Sequence, residues 1–181
     1  MKLVREIDVS LLGCALALAA CIGSSPPAPP VRWFDCSPEF ARSDAKAVID
    51  RPAVRAAFRA ETDFALRVGP HEIRLDPDHR WTEPPDRIAA AAIERALYVD
   101  ADCAVGRGRG VDVTLLAFEF DLRTSPAAVV ALTVPLNGRV GAIFARAPAS
   151  SARPEDLAAA MASALGDAVS ELRDALVAAA R

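Results

Sequence analysis

The chain holds two histidines, His71 and His79, eight positions apart. A helical metal pair needs a spacing of four, and a cysteine–histidine zinc pattern needs paired cysteines nearby. Neither spacing occurs. His71 reads as a turn-flanking residue and His79 as an exposed neighbour of Trp81. Glu83 and Asp86 offer a carboxylate pair on paper, but both stand where a helix should begin, and capping and the helix dipole account for acids there. Gly106-Arg107-Gly108-Arg109-Gly110 is glycine-rich, yet it precedes a predicted strand instead of following one and opening a helix, and it lacks the Lys-Ser/Thr of a phosphate loop. It reads as a flexible, solvated loop whose Arg107 and Arg109 can touch anionic headgroups or an acidic partner. Neither a Gly-x-Ser-x-Gly elbow nor a His-Glu-x-x-His pair is present. These residues assemble no active site and call for neither metal nor cofactor.

The cysteines say more. Lys2 and Arg5 precede a twelve-residue apolar run, residues 9–20. That is too short to span a bilayer as a helix and suits the core of a signal peptide. The run ends in Leu18-Ala19-Ala20-Cys21, which resembles the lipobox of bacterial lipoproteins. A small residue before the cysteine permits cleavage there, and the thiol carries a diacylglyceryl group. Leu11-Leu12-Gly13-Cys14 is a rival that leaves a much shorter apolar core. With Cys21 acylated and Ile22 in place of the aspartate tied to inner-membrane retention in some bacteria, the expected location is the outer membrane, facing the periplasm. Residues 23–30, Gly-Ser-Ser-Pro-Pro-Ala-Pro-Pro, favour extended polyproline II. At ~3.1 Å per residue such a tether holds a domain roughly 25–30 Å from its anchor. The expected organisation is a signal peptide over residues 1–20, a lipid-anchored linker over 21–30 and one folded domain over 31–181. Cys36 and Cys103 then remain in an exported domain, where they form either a disulfide or two separate buried thiols.

The elements that position these residues turn on one corner. Leu66, Val68, Ile73 and Leu75 alternate as in strands; Ile88, Ala89, Ala92, Ile93, Ala96 and Leu97 line one side of a helix. Between them lies His79-Arg80-Trp81-Thr82-Glu83-Pro84-Pro85-Asp86. Pro84 pushes Glu83 out of helical geometry, Pro85 suits a first helical position, and Asp86 meets the positive end of the dipole. Trp81 is the expected plug between sheet and helix. Upstream, residues 31–36 read as a short aromatic strand, and residues 47–54 as an extended segment around Pro52, with helix as the alternative. Residues 64–75 form a hairpin turned at Gly69-Pro70. Downstream, residues 111–122 form a strand with Leu116, Phe118, Phe120 and Leu122 facing one way and Ala117, Glu119 and Asp121 the other. Asn137-Gly138 turns a second hairpin. A helix over residues 154–180 carries a stripe of Leu157, Met161, Leu165, Val169, Leu172 and Leu176, weakened at Gly166. The expected fold class is α+β, a mainly antiparallel or mixed sheet packed by two helices in a single domain.

A hairpin closing in Arg80-Trp81-x-Glu83-Pro84-Pro85 before a helix resembles the ABC-type transport auxiliary lipoproteins, including the paraquat-inducible lipoproteins that accompany MCE-domain lipid transporters. Residues 66–74, the strand Leu116-Ala117-Phe118-Glu119-Phe120 and the long closing helix extend the likeness over most of the exported domain; Trp33-Phe34-Asp35 departs from the family's usual aromatic-x-Leu. The resemblance implies a non-enzymatic component of an ABC/MCE-type lipid transport system, an MCE-domain protein as partner, a homo-oligomeric ring, and structural roles for Trp81, Glu83, Pro84 and Pro85.

Net charge is −3 over 181 residues, and only Lys2 and Lys46 are lysines. No chain-wide basic field invites nucleic acid. Two function classes remain: the transport auxiliary, and a general envelope-assembly or scaffolding lipoprotein. An enzyme ranks behind both. If Cys21 carries the anchor, mass spectrometry of the mature chain finds an acylated N-terminal Cys21, and Cys21→Ser moves the protein from the membrane to the soluble fraction. An unmodified Cys21 would refute the anchor.

Overall fold

Polar–apolar alternation and two proline-led apolar stripes give this chain a sheet with helices on one face. The computed structural model describes residues 28–59, 61–108 and 110–180, so Cys21, the linker up to residue 27 and Arg109 lie outside the described residues. Val31–Arg181 forms one compact unit. Its strands are β1 (Arg32–Phe34), β2 (Val48–Ile49), β3 (Pro52–Ala56), β4 (Asp63–Gly69), β5 (Glu72–Trp81), β6 (Ala104–Val105), β7 (Val111–Asp121), β8 (Ala127–Leu136) and β9 (Arg139–Pro148). Its helices are α1 (Pro85–Tyr98) and α2 (Pro154–Ala179). Seven strands form one mixed sheet in the order β1-β5-β4-β7-β8-β9, with β3 also on β7; β2 and β6 pair separately. The hairpins β4–β5, β7–β8 and β8–β9 are antiparallel, while β1, β3 and β4 lie parallel to β5, β7 and β7. The fold is α+β, and the segment around Pro52 is extended.

Both helices begin at proline. Pro85 and Pro154 take the first positions, where the missing N–H has no partner to lose, and Asp86, Glu155 and Asp156 occupy the first turns. Side-chain capping, expected at Glu83, is absent: Pro84 is the cap residue of α1, and its carbonyl receives the N–H groups of Arg87 and Ile88 at 2.9 and 3.1 Å. The α1 stripe from Ile88 to Leu97 and the α2 stripe from Leu157 to Leu176 are buried against the sheet. Interleaved alanines (Ala89, Ala92, Ala96, Ala160, Ala164, Ala168) let the backbones approach closely. At Gly166 a side-chain Cβ would meet Pro38 at 3.4 Å, about van der Waals contact, so the loop over the helix packs close at this point.

Asn137 and Gly138 have φ of 49° and 77°, the positive values a two-residue turn needs to match strand twist. They hold β8 and β9 in unbroken register from Leu136↔Arg139 to Ala127↔Pro148. In β7 the expected alternation breaks. Leu115 pairs with Leu132 and Ala117 with Ala131, so Leu116 is an extra residue, a bulge. Val113 and Leu115 point to the core before it, Phe118 and Phe120 after it, and Leu116 is exposed instead of sharing their face.

The cysteine alternative resolves toward two thiols. Cys36 and Cys103 are both free and buried. Cys36 packs beside Ile88 and Ala92 of α1, whereas Cys103 lies past the end of that helix, its N–H on the Leu97 carbonyl at 3.3 Å. They fill different levels of the core as small apolar groups. Burial, aided by Asp35, pushes the Cys36 thiol up to about 12, which leaves it unreactive.

Trp81 is the plug the sequence asked for. It is 1% exposed, with ring centroids of Phe64, Phe118 and Phe120 at 4.4, 5.4 and 5.8 Å. Its backbone N–H donates to the Thr62 carbonyl at 2.7 Å. Trp81→Ala should therefore cost about 3–5 kcal/mol in chemical denaturation, as large-to-small core changes do. A variant that unfolds like the parent but has lost function would mean that Trp81 works at a binding site.

Candidate functional site: the outer face of the sheet

The helices cover one face of the sheet, and the opposite face defines the site. Cross-strand partners share a face, so the register identifies its members. Phe144 pairs with Ala131 and Ala131 with Ala117; Leu75 pairs with Ala65 and Ile73 with Arg67. With the bulged Leu116 these residues make an apolar field. Phe144 is 64% exposed, and Leu75, Ile73 and Leu116 are 49%, 48% and 48% exposed. Small alanines floor the field between these larger side chains.

Ion pairs border it. Arg67 holds Glu119 along one guanidinium edge, Nε donating to Oε1 and Nη2 to Oε2, the latter at 2.8 Å. The hydrogen bond to Glu119 raises the Arg67 pKa further above its ordinary value. Asp121 accepts Nε and Nη2 of Arg123, each at 2.9 Å, with Arg146 at 4.0 Å. The Arg123 hydrogen bond holds the Asp121 carboxyl well below the usual carboxylate range. Glu119 and Asp121 are 7% exposed, so both carboxylates are shielded from water and held by arginines that reach out to the surface.

The field deepens into a cleft where the sheet splits. β3 pairs with β7 over Val111 to Leu115, and β4 rejoins it only at Phe120 and Asp121. Among the described residues no strand pairs with β7 on that side between Leu115 and Phe120. The connection through Phe58, Arg59 and Glu61 roofs the gap, and Pro85 and Phe118 close its bottom. The cleft holds about 220 Å³.

The residues that sequence reasoning tested for chemistry do not converge. His71 is exposed in the turn before β5. His79 lies near the other end of that strand, about 26 Å away at ~3.3 Å per residue. It is not the exposed neighbour expected. Its side chain is 21% exposed, with Nδ1 2.8 Å from Asp76 Oδ2 and its ring near Phe34 and Phe64. Glu83 is exposed and Asp86 half-buried at the start of α1. Pro84 and Pro85 make the corner. The glycine loop is cinched instead of free: Gly108 N–H donates to Asp50 Oδ1 at 2.8 Å, and a side chain at Gly106 or Gly108 would collide with that carboxylate. Among the described residues no three His, Cys, Asp or Glu side chains gather as metal ligands.

With this geometry set out, the comparisons bear on the fold. No protein-family model matches the chain, and neither does any curated protein sequence. Several solved structures are similar, among them the following two. A Xanthomonas campestris protein of family DUF330 superposes with a TM-score of 0.66 at 19% identity, over 78% of this chain and 92% of that one. An uncharacterized protein superposes with a TM-score of 0.58 at 8% identity, over 80% of this chain and 97% of that one. The likeness is one of fold. Nearly the whole of each of those chains is accounted for by the domain described here.

Sequence reasoning missed the field, although one signal pointed to it. Ala127-Ala128-Val129-Val130-Ala131-Leu132 is continuously apolar, and Val140, Ala142 and Phe144 are apolar on the face opposite Ile143 and Ala145. In an antiparallel hairpin that pattern means both faces avoid water. The border is testable through Asp121. Its carboxyl titrates lower folded than unfolded, where it titrates near ~3.9. Its stabilisation is thus fully present above that value and is lost as the pH falls through the lower folded pKa. Asp121→Asn should cost about 1–3 kcal/mol in urea unfolding at pH 7, with the gap to the parent narrowing below pH ~4. An equal gap at pH 7 and pH 3 would contradict this.

Proposed function

We propose that this chain is an outer-membrane lipoprotein that acts without catalysis as a docking component of an ABC/MCE-type lipid transport system, held at the membrane by Cys21 and reaching an MCE-domain partner through its proline-rich linker. The observation that carries the reading is the uncovered apolar face of the sheet: Phe144 stands mostly in water, and Leu116, Ile73 and Leu75 nearly half, beside a fixed ionic border. An apolar patch rimmed by polar groups is the form of an interaction surface. The titratable groups nearest it are occupied in ion pairs, which suits a surface that binds more than one that moves protons. The likeness of Arg80-Trp81-x-Glu83-Pro84-Pro85 to the auxiliary lipoproteins supplies the partner class.

Complementation of a deletion strain, scored by envelope permeability to detergent, tests the reading. Leu116→Glu with Phe144→Glu should abolish function in a protein that still folds, because both side chains are solvent-facing. Removing residues 23–30 should impair function by shortening the reach, while single substitutions at His71, His79, Glu83 or Asp86 should be tolerated. Full activity from an exported soluble version lacking anchor and linker would overturn the tethered docking role and favour an enzyme.

A further inference from the structure

We infer that the cleft at the split in the sheet takes a single hydrocarbon chain of a lipid, with the lipid's head left outside. This deepens the lipid-transport reading and rests on it for the source of the chain. Three features of the cleft select that occupant. The first is chemistry. Phe58, Ala65, Ile73, Leu75, Leu116 and Phe118 supply an apolar lining from the β3–β4 connection, β4, β5 and β7.

The second feature is charge. Every charged side chain at the cleft already has an opposite partner: Arg59 with Glu61 at 2.7 Å, Arg67 with Glu119 at 2.8 Å, and Asp63 with Arg80 at 2.7 Å. A lipid phosphate would have to break one of these pairs, two of which are largely shielded from water, whereas an uncharged chain disturbs none. Complementarity therefore favours the hydrocarbon over the headgroup.

The third feature is size. About 220 Å³ falls short of the roughly 300–1,000 Å³ of a site for a whole drug-sized ligand. One slender chain fits, and a headgroup plus two chains does not. The cleft meets the apolar field at Leu116 and Ala117, which line its mouth, so a chain can enter from that face and its length beyond the cleft adds little burial. Phe118 at its bottom packs edge-on against Trp81 at 5.4 Å, which places the indole one side chain away from the bound chain.

The test uses the full chain with Cys21→Ser, exported and purified without detergent, so that its own anchor cannot fill the cleft. Alkyl chains of six to fourteen carbons are titrated by calorimetry below their micelle concentrations. Affinity should rise about fourfold per methylene and then level off once the cleft is full. Alkyl sulfates, alkyl trimethylammoniums and alkyl maltosides of equal length should bind within about threefold of one another. Brominated chains should quench Trp81 in a chain that also carries Trp33→Phe. Ala65→Phe should weaken binding at least tenfold by filling the floor. If that variant does not fold, Ile73→Ser with Leu75→Ser, both at half-exposed positions, should produce the same loss.

Binding that demands an anionic head, binding with no chain-length dependence, or binding indifferent to these substitutions would overturn the inference. So would no binding at all. Failure here alongside intact complementation by the tethered protein sinks the chain site and leaves the docking role standing. Chain binding in a protein whose tether and outer field prove dispensable does the reverse.

Discussion

The aromatic cluster at the end of β5 carries the architecture, because it fastens the β4–β5 hairpin to β7 and to α1. Trp81 closes β5, Phe64 comes from β4, and Phe118 and Phe120 come from β7. β4 touches β7 through a short parallel pairing at Phe120 and Asp121, too little to hold a hairpin by backbone bonds alone. Side-chain contact does the rest: Phe64 stacks within 4.9 Å of Phe120 and 4.4 Å of Trp81. The two prolines after Trp81 then turn the chain sharply into α1, whose stripe covers the same cluster. Removing the indole would loosen the β4–β5 hairpin from β7 and α1 from the sheet together.

That short pairing also explains why the outer face has depth. Had β4 stayed in register with β7 along its length, the sheet would be continuous there. Instead β3 occupies the first half of the edge of β7 and β4 only its end. The bulge at Leu116 falls at this changeover. It swings the inward series from Val113 and Leu115 to Phe118 and Phe120, so each half of the strand presents aromatic or aliphatic groups to the core. The residue displaced by that correction, Leu116, joins the lining of the cleft.

Much of the fold was legible because it is written in local patterns. The Asn137-Gly138 turn, the proline-led helices, the stripe from Leu157 to Leu176 and the Trp81 corner each depend on neighbours within a few residues. What escaped depends on pairing across the sheet. Nothing local to residues 111–122 marks Leu116 as extra; the bulge exists because Leu115 meets Leu132 and Ala117 meets Ala131. Likewise His79 looked exposed until β1 brought Phe34 beside it and Asp76 bonded its ring. The glycine loop looked free because its restraint, Asp50, lies far upstream in sequence. Cys36 and Cys103 illustrate the same limit: their shared compartment suggested a bridge, and their placement along α1 separates them.

The strength of the outer face bears on the proposed tether. Fully burying a large apolar side chain contributes about 1.5–3 kcal/mol, and Phe144, Leu75, Ile73 and Leu116 have roughly half of that still to gain. Together they offer about 3–6 kcal/mol, no more than the lower end of the ~4–15 kcal/mol that association costs in lost motion. Such a face binds weakly from free solution. A linker that keeps both partners within a few tens of ångströms replaces much of that loss with an effective concentration near the millimolar range. Under the tethered docking role proposed above, weak contact plus confinement would give an assembly that holds together at the membrane and still lets go. The linker would then contribute to binding in energetic terms, and a modest apolar field would suffice.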